Sequence, residues 1–110
     1  EQYLIRAEAR AQLENVSGAQ QDLNTIRNRA GLANTTAANK ADLLDAILKE
    51  RRVELFTEQG HRWFDLKRMG KASEVLAPMK TNWKDTDVLF PIPANELELN
   101  PNLEPQNPGY

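Results

Sequence analysis

The sequence predicts an all-α fold that consists of a helical hairpin, one long helix, several short helices and an extended C-terminal strap rich in Pro and Asn. Apolar residues recur at helical spacing through residues 2–77, and glycines stand where the predicted helices end. Five of the six Pro residues lie between Pro91 and Pro108, a density that excludes a regular helix or a central strand there.

The hairpin is predicted within residues 1–31. Its first helix covers residues 2–14 and has two apolar faces, which predict packing neighbours on both sides. These faces carry Tyr3, Leu4, Ala7 and Ala11 on one side and Ile5, Ala9 and Leu13 on the other. The second helix is predicted to start at Ser17 as N-cap, with Gln20 completing a capping box, and to end at a left-handed Gly31. Its apolar stripe contains Ala19, Leu23, Ile26 and Ala30.

Residues 40–77 are predicted to hold the long helix and two shorter ones. Asn39 is the expected N-cap of the long helix, which should cover residues 40–59 and end at Gly60. Its main stripe contains Leu44, Ile47, Leu48 and Leu55, with Arg51 and Glu58 along the same line. A helix over residues 62–69 and a further turn over residues 72–77 should follow.

Residues 78–110 are predicted to form the strap. Residues 87–93 favour an extended chain, and Pro93 suits the first position of a single helical turn over residues 94–97. Four apolar residues in the strap, Leu97, Leu99, Leu103 and Tyr110, are expected to anchor it on the helices.

Composition narrows the functional classes. A length of 110 residues fits one modest domain, and a net charge of −2 gives no bulk electrostatic attraction to nucleic acid. The absence of Cys excludes disulfides, thiolate metal sites and Cys nucleophiles. No apolar run approaches the ~20 residues that a membrane-spanning helix requires. Because the chain opens with Glu directly into a helical pattern, we expect it to be a fragment of a longer protein.

The charged segment at residues 54–68 raises a metal-site hypothesis. Glu54, Glu58 and His61 have the spacing i, i+4 and i+7, and Glu-x-x-His spacing occurs in helical-bundle metal sites. Such sites need a second matching set, and this chain has a single His. We therefore predict no metal site.

The same segment raises an acid–base hypothesis, because Glu54 and Glu58 are like charges one turn apart. Arg51, Arg62 and Arg68 lie nearby in the sequence and should keep both carboxylates ionised in pairs. The sequence therefore favours a structural Arg–Glu network that ties the long helix to the helix bearing Trp63, which is itself expected to be a core anchor. A hydrolase that uses Glu54 or Glu58 is the disfavoured alternative.

Trp83 lies in a polar loop over residues 79–85. An exposed loop Trp can stack on a sugar ring, and Asn82, Lys84 and Asp85 could bind sugar hydroxyls. Trp83 could equally tuck back onto the helices, and the sequence leaves both interpretations open. It is the one candidate substrate-binding residue.

Residues 50–55 (Glu-Arg-Arg-Val-Glu-Leu) and 58–68 (Glu-Gln-Gly-His-Arg-Trp-Phe-Asp-Leu-Lys-Arg) resemble the hallmark of the SusD/RagB family. Residues 89–93 (Leu-Phe-Pro-Ile-Pro) with Glu96, and residues 100–110, resemble the C-terminus of that family. The opening hairpin is similar to the last tetratricopeptide-like repeat of the family. The resemblance runs in order along nearly the whole chain.

The resemblance implies the C-terminal portion of a surface lipoprotein of the outer membrane in Bacteroidetes-type bacteria. Such proteins cap a SusC-like TonB-dependent transporter and capture glycans or other nutrients for import; they are not enzymes and carry no catalytic cofactor. The lipid-bearing Cys and the earlier repeats are expected upstream. The hallmark is expected to be structural rather than ligand-binding, and its residues are Arg51, Glu54, Glu58, Gly60, His61, Arg62, Trp63, Asp65 and Arg68. An independent tetratricopeptide-like protein-interaction module is the alternative.

Overall fold

The computed structural model describes residues 1–110 and divides them into two compact units, Glu1–Asp65 and Leu66–Tyr110. All regular elements are helical, which confirms the predicted all-α fold class. The α-helices are α1 (Gln2–Gln12), α2 (Val16–Arg29), α3 (Lys40–Glu54), α4 (His61–Arg68), α5 (Ala72–Leu76) and α6 (Ala94–Leu99). Two short 3₁₀ helices cover Asp85–Val88 and Pro101–Leu103.

The first unit is held together by a core between α1, α2 and α3. Leu4, Leu23, Leu43 and Ile47 fill this core and have almost no exposed surface. Small side chains at Ala7, Ala11 and Ala19 are fully buried, which allows the helix backbones to approach closely. The predicted hairpin of α1 and α2 is therefore present, and α3 packs against both of its helices.

One of the two apolar faces of α1 is exposed. Ile5 is 45% exposed and Leu13 is 82% exposed, and Tyr3 lies beside them at 45%. The two packing neighbours of α1 within residues 1–110 are α2 and α3, and neither covers this face. An uncovered apolar face on a hairpin helix is typical of a unit that packs against another repeat.

The start of α2 differs from the prediction. The N-cap is Asn15, whose side-chain oxygen accepts a hydrogen bond from the Gly18 backbone N–H at 3.0 Å. Ser17 lies inside the first turn, because a left-handed Glu14 (φ 60°) shortens the link between the two helices. Gly31 does take the predicted left-handed conformation, with a φ of 73°.

Asn15→Ala is expected to lower the free energy of unfolding by about 1 kcal/mol, because the Gly18 N–H would lose its acceptor. Ser17→Ala is the matched control and should change it by less than ~0.5 kcal/mol. Urea unfolding monitored by circular dichroism would measure both. Equal losses in the two variants would contradict the assignment of Asn15 as the cap.

The long helix ends earlier than the sequence predicted. Asn39 caps α3 as expected and accepts from the Asp42 N–H, but α3 stops at Glu54 rather than near Gln59. Thr57 and Gln59 have φ values of 63° and 42°, which are incompatible with a right-handed helix. The buried face of α3 is also rotated relative to the predicted stripe, since its buried residues are Leu43, Ile47, Glu50 and Arg51.

The second unit contains more helix than the predicted strap. The helix α6 extends to Leu99, and Pro93 is its N-cap rather than its first helical residue. The prediction of apolar anchors is wrong for three residues, because Leu99 is 81% exposed, Leu103 38% and Tyr110 57%.

Polar side chains hold the chain end instead. The Gln106 amide accepts from the Ile92 N–H and donates to the Ile92 carbonyl, both at 2.8 Å. Asn107 donates to the Phe90 carbonyl at 2.7 Å, and the Tyr110 hydroxyl donates to the Leu89 carbonyl at 2.9 Å. These bonds satisfy backbone groups of an extended, Pro-flanked segment that has no strand partner.

Candidate functional site

A buried ion pair joins the end of α3 to α4. Arg51 Nε donates to Asp65 Oδ2 at 2.7 Å, and both side chains are only 5% exposed. Arg51 Nη1 is buried without a hydrogen-bond partner. Because a buried guanidinium and a buried carboxylate each lose hydration, the stability of either charge depends on the other.

The acidic residues of α3 pair with arginines of α2. Arg27 Nη1 lies 2.9 Å from Glu50 Oε2, and Arg29 contacts the Glu54 carboxylate. These contacts differ from the predicted Arg–Glu network between the long helix and the helix bearing Trp63. The Glu residues pair with arginines of α2, and the contact toward α4 is made by Asp65. Glu54 therefore already has an arginine partner on a neighbouring helix.

Glu58 and His61 do not join Glu54 on one helix face, because α3 ends at Glu54. Glu58 is exposed in the loop over residues 55–60, and His61 Nε2 lies 3.7 Å from Glu1 Oε1. No group of three or more His, Asp or Glu side chains is placed to hold a metal ion. The structure thus brings together neither the Glu54–Glu58–His61 set nor the Glu54–Glu58 pair that the sequence spacing suggested.

The remaining motif residues differ in how deeply they are buried and in what they contact. Gly60 has a φ of 70°, and its carbonyl accepts from the Trp63 and Phe64 N–H groups at the start of α4. Trp63 is half-buried, and Arg68 is exposed in the last turn of α4. A residue with a side chain at position 60 would be strained, because left-handed backbone favours glycine.

A shallow pocket lies over the loop between α3 and α4. Its volume is about 290 Å³, and its lining includes Arg52, Leu55, Phe56, Glu58, His61 and Arg62. Burial lowers the pKa of the Arg62 guanidinium below its ordinary value, and the positive charge of Arg52 lowers it further. Of the predicted structural-motif residues, Glu58, Gly60, His61 and Arg62 line this pocket, and Arg52 lies beside them.

A cluster around Asp22 was missed by the sequence reasoning. Asp22 is 1% exposed and accepts from Arg6 Nε at 2.9 Å, Arg6 Nη2 at 2.7 Å and Arg10 Nη1 at 2.8 Å. Hydrogen bonding from Arg6 holds the pKa of Asp22 below its ordinary value. Two signals could have found it: Arg6 and Arg10 are one turn apart, and Asp22 lies between Ala19 and Ile26 on the apolar stripe of α2.

Trp83 is half-buried against the second unit's own helix. Its indole Nε1 donates to Ser73 Oγ in α5 at 3.1 Å, and Lys80 Nζ lies 5.9 Å from the ring centroid. The indole is therefore tucked back onto α5, the second of the two predicted arrangements, with part of its surface still exposed. A role for Trp83 in ligand binding stays a prediction.

Comparison with known proteins assigns the chain. The sequence profile of the SusD family matches residues 1–88. This chain belongs to the SusD family. The resemblance in its motifs is thereby confirmed.

Individual SusD relatives match almost the whole chain. SusD-like protein P2 of Formosa agariphila is 35% identical over 97% of this chain, and SusD-like protein P38 of the same organism is 37% identical over 97%. The crystal structure of a SusD-like protein from Bacteroides fragilis superposes with a TM-score of 0.79 at 33% identity and covers 98% of this chain.

The chain spans about a quarter of these SusD relatives, 24% of P2, 22% of P38 and 24% of the Bacteroides fragilis protein. None of its helices combines the length and the apolar character that crossing a bilayer demands.

Proposed function

We propose that this SusD-family chain is part of a surface-exposed lipoprotein of the cell outer membrane, with its lipid anchor upstream. The protein captures glycans or other nutrients and delivers them to a SusC-like TonB-dependent transporter. The match of the family profile to residues 1–88 carries this proposal. Relatives that are 35% and 37% identical over 97% of the chain support it.

The arrangement of charges supports binding rather than catalysis. Asp22, Glu50 and Glu54 each contact an arginine, and hydrogen bonding from Arg6 lowers the pKa of Asp22. Acid–base catalysis by paired carboxyl groups needs two of them beside one cleft, and Glu58 is the sole carboxyl group in the lining of the pocket over the α3–α4 loop. We therefore propose a protein without enzymatic activity or a catalytic cofactor, in which the motif residues form a scaffold.

A protein-interaction module is the second candidate, and the exposed face of α1 favours it. Tyr3, Ile5 and Leu13 expose apolar surface on a hairpin helix, as modules that bind another helix do. The two candidates differ in one observable: a nutrient-capture protein binds a glycan or another small nutrient, whereas an interaction module binds only protein.

The longer protein that contains this chain is expected to reside at the cell surface and to co-purify with a TonB-dependent transporter from detergent-solubilised outer membranes. Protease treatment of intact cells should cleave it, and a panel of polysaccharides in affinity gels should retard it. Retention inside intact cells, together with migration unaffected by every polysaccharide and small nutrient tested, would contradict the proposal.

Trp83 supplies the residue-level arm of the same test. Trp83→Ala in the longer protein should weaken the affinity for a retarded glycan by about tenfold, because a lost stacking contact is worth roughly 1.4 kcal/mol. Trp83→Phe should keep most of the affinity despite losing the bond to Ser73. Phe90→Ala, which removes a 73% exposed aromatic ring from the same unit, is the matched control. Equal affinity in all variants by calorimetry would remove Trp83 from the binding site.

A further inference from the structure

The pocket between α3 and α4 contains the two arginines that the scaffold does not use. Arg52 lies in the last turn of α3, and Arg62 lies in the first turn of α4. Both line the concavity of about 290 Å³ over the intervening loop. Two arginines from different helices thus line one small volume, and the charge of Arg52 is close enough to act on Arg62.

The other five arginines of this unit each have a carboxylate partner. Salt bridges to carboxylates within 4 Å engage Arg6, Arg10, Arg27, Arg29 and Arg51. Arg52 and Arg62 have no salt bridge and no side-chain hydrogen bond. Glu58 also lines the pocket, but it is exposed and bonded to neither arginine.

Arg62 is half-buried, so its charge has lost part of its hydration without gaining a counterion. The neighbouring charge of Arg52 adds repulsion, and together these effects lower the pKa of the Arg62 guanidinium. An anion between the two side chains would reverse both unfavourable contributions.

We propose that this pocket binds a carboxylate group between Arg52 and Arg62. Planar guanidiniums bind the two oxygens of a carboxylate through paired hydrogen bonds, which suits two arginines that converge on one volume. Leu55 and Phe56 supply an apolar wall for the carbon skeleton that carries the carboxylate.

Two sources can present this chemistry. One is a carboxylated sugar, which would make the pocket an acidic-ligand site and rests on the proposed function. The other is an Asp or Glu side chain from polypeptide outside residues 1–110, which does not depend on that function, since SusD relatives are about four times as long as this chain.

The experiment begins with galacturonate titrated into the 110-residue chain, followed by the NMR resonances of the Arg62 and Phe56 backbone amides. We expect saturable shifts, no shifts with neutral galactose, and an affinity at least tenfold weaker in Arg62→Gln. Lys49→Gln is the control, because it removes one positive charge from an exposed position of α3 outside the pocket. This variant should bind galacturonate with the affinity of the wild-type chain.

The longer protein distinguishes the two sources. Galacturonate binding that persists there and is lost in Arg62→Gln indicates a sugar carboxylate. Absence of binding there, with a melting temperature lowered by several degrees in Arg62→Gln but not in Lys49→Gln, indicates a carboxylate of the polypeptide itself. The proposal is overturned when galacturonate binds neither protein through Arg62 and Arg62→Gln leaves the melting temperature of the longer protein unchanged.

Discussion

Arg51→Ala is expected to lower the free energy of unfolding by about 3 kcal/mol, because it removes the guanidinium that contacts a buried carboxylate. Arg51 and Asp65 are each 5% exposed, so solvent screens the Asp65 charge poorly once the guanidinium is removed. Guanidinium chloride unfolding followed by circular dichroism at 222 nm measures the loss. The large effect arises from the charge left behind in the interior, more than from the net value of the pair.

Arg52→Ala is a matched control for that substitution, since it changes the next residue of the same helix. Arg52 is exposed and has no salt bridge, so its replacement should change the free energy of unfolding by less than ~0.5 kcal/mol. In Arg51→Met combined with Asp65→Leu, both charges are replaced by apolar side chains, and much of the lost stability should return. If Arg51→Ala and Arg52→Ala are equally mild, the pair does not contribute as a buried contact.

Local signals in the sequence were sufficient to predict most of the helices and where several of them begin or end. Asn39 has the side chain and position of an N-cap, and Gly31 can adopt a left-handed conformation at low cost. A helix cap and a left-handed glycine each depend only on residues close in the chain, so the sequence alone predicts both features. The hairpin follows from the same kind of information, because Ala7 and Ala19 leave room for two helices to meet.

The end of α3 could not be predicted in this way. Thr57 and Gln59 adopt left-handed backbone although neither is a glycine, and the predicted helical stripe runs on through Leu55 to Glu58. Left-handed backbone at a non-glycine residue costs free energy that the surrounding structure must offset, and helical periodicity carries no information about it. Tertiary packing therefore overrode a local pattern that favoured four or five more helical residues.

The sequence also could not predict which arginines pair with Glu50 and Glu54. Glu54 lies beside Arg51 and Arg52 in the chain, yet it pairs with Arg29, 25 residues away. Glu50 likewise pairs with Arg27. Helical spacing orders residues around one helix, but it says nothing about which side chain a neighbouring helix presents. The motif was therefore recognisable before its contacts could be assigned.

Asp22→Asn should produce the second large loss, about 2 kcal/mol at neutral pH, because Arg6 and Arg10 would face a neutral amide in place of a carboxylate. The expected loss is smaller than for Arg51→Ala because the Arg6 side chain is 56% exposed and solvent screens its charge. Glu98→Gln, at an exposed position without an ion pair, is the control and should be neutral within ~0.5 kcal/mol. A neutral Asp22→Asn would contradict the assignment of Asp22 as an ionised anchor of the hairpin.

The pH dependence of the stability difference between the wild-type chain and Asp22→Asn tests whether the ionised form of Asp22 is what stabilises the fold. The bonds from Arg6 and Arg10 lower the pKa of Asp22 in the folded protein below its ordinary value of 3.8. Linkage then requires that its ionic contribution be fully present above the unfolded pKa and be lost as the pH falls through the folded pKa. The stability advantage of the unchanged chain over Asp22→Asn should therefore be constant near neutrality and shrink below about pH 4. An advantage that stays constant to pH 2 would mean that the carboxyl shape, rather than its ionisation, stabilises the contact between α1 and α2.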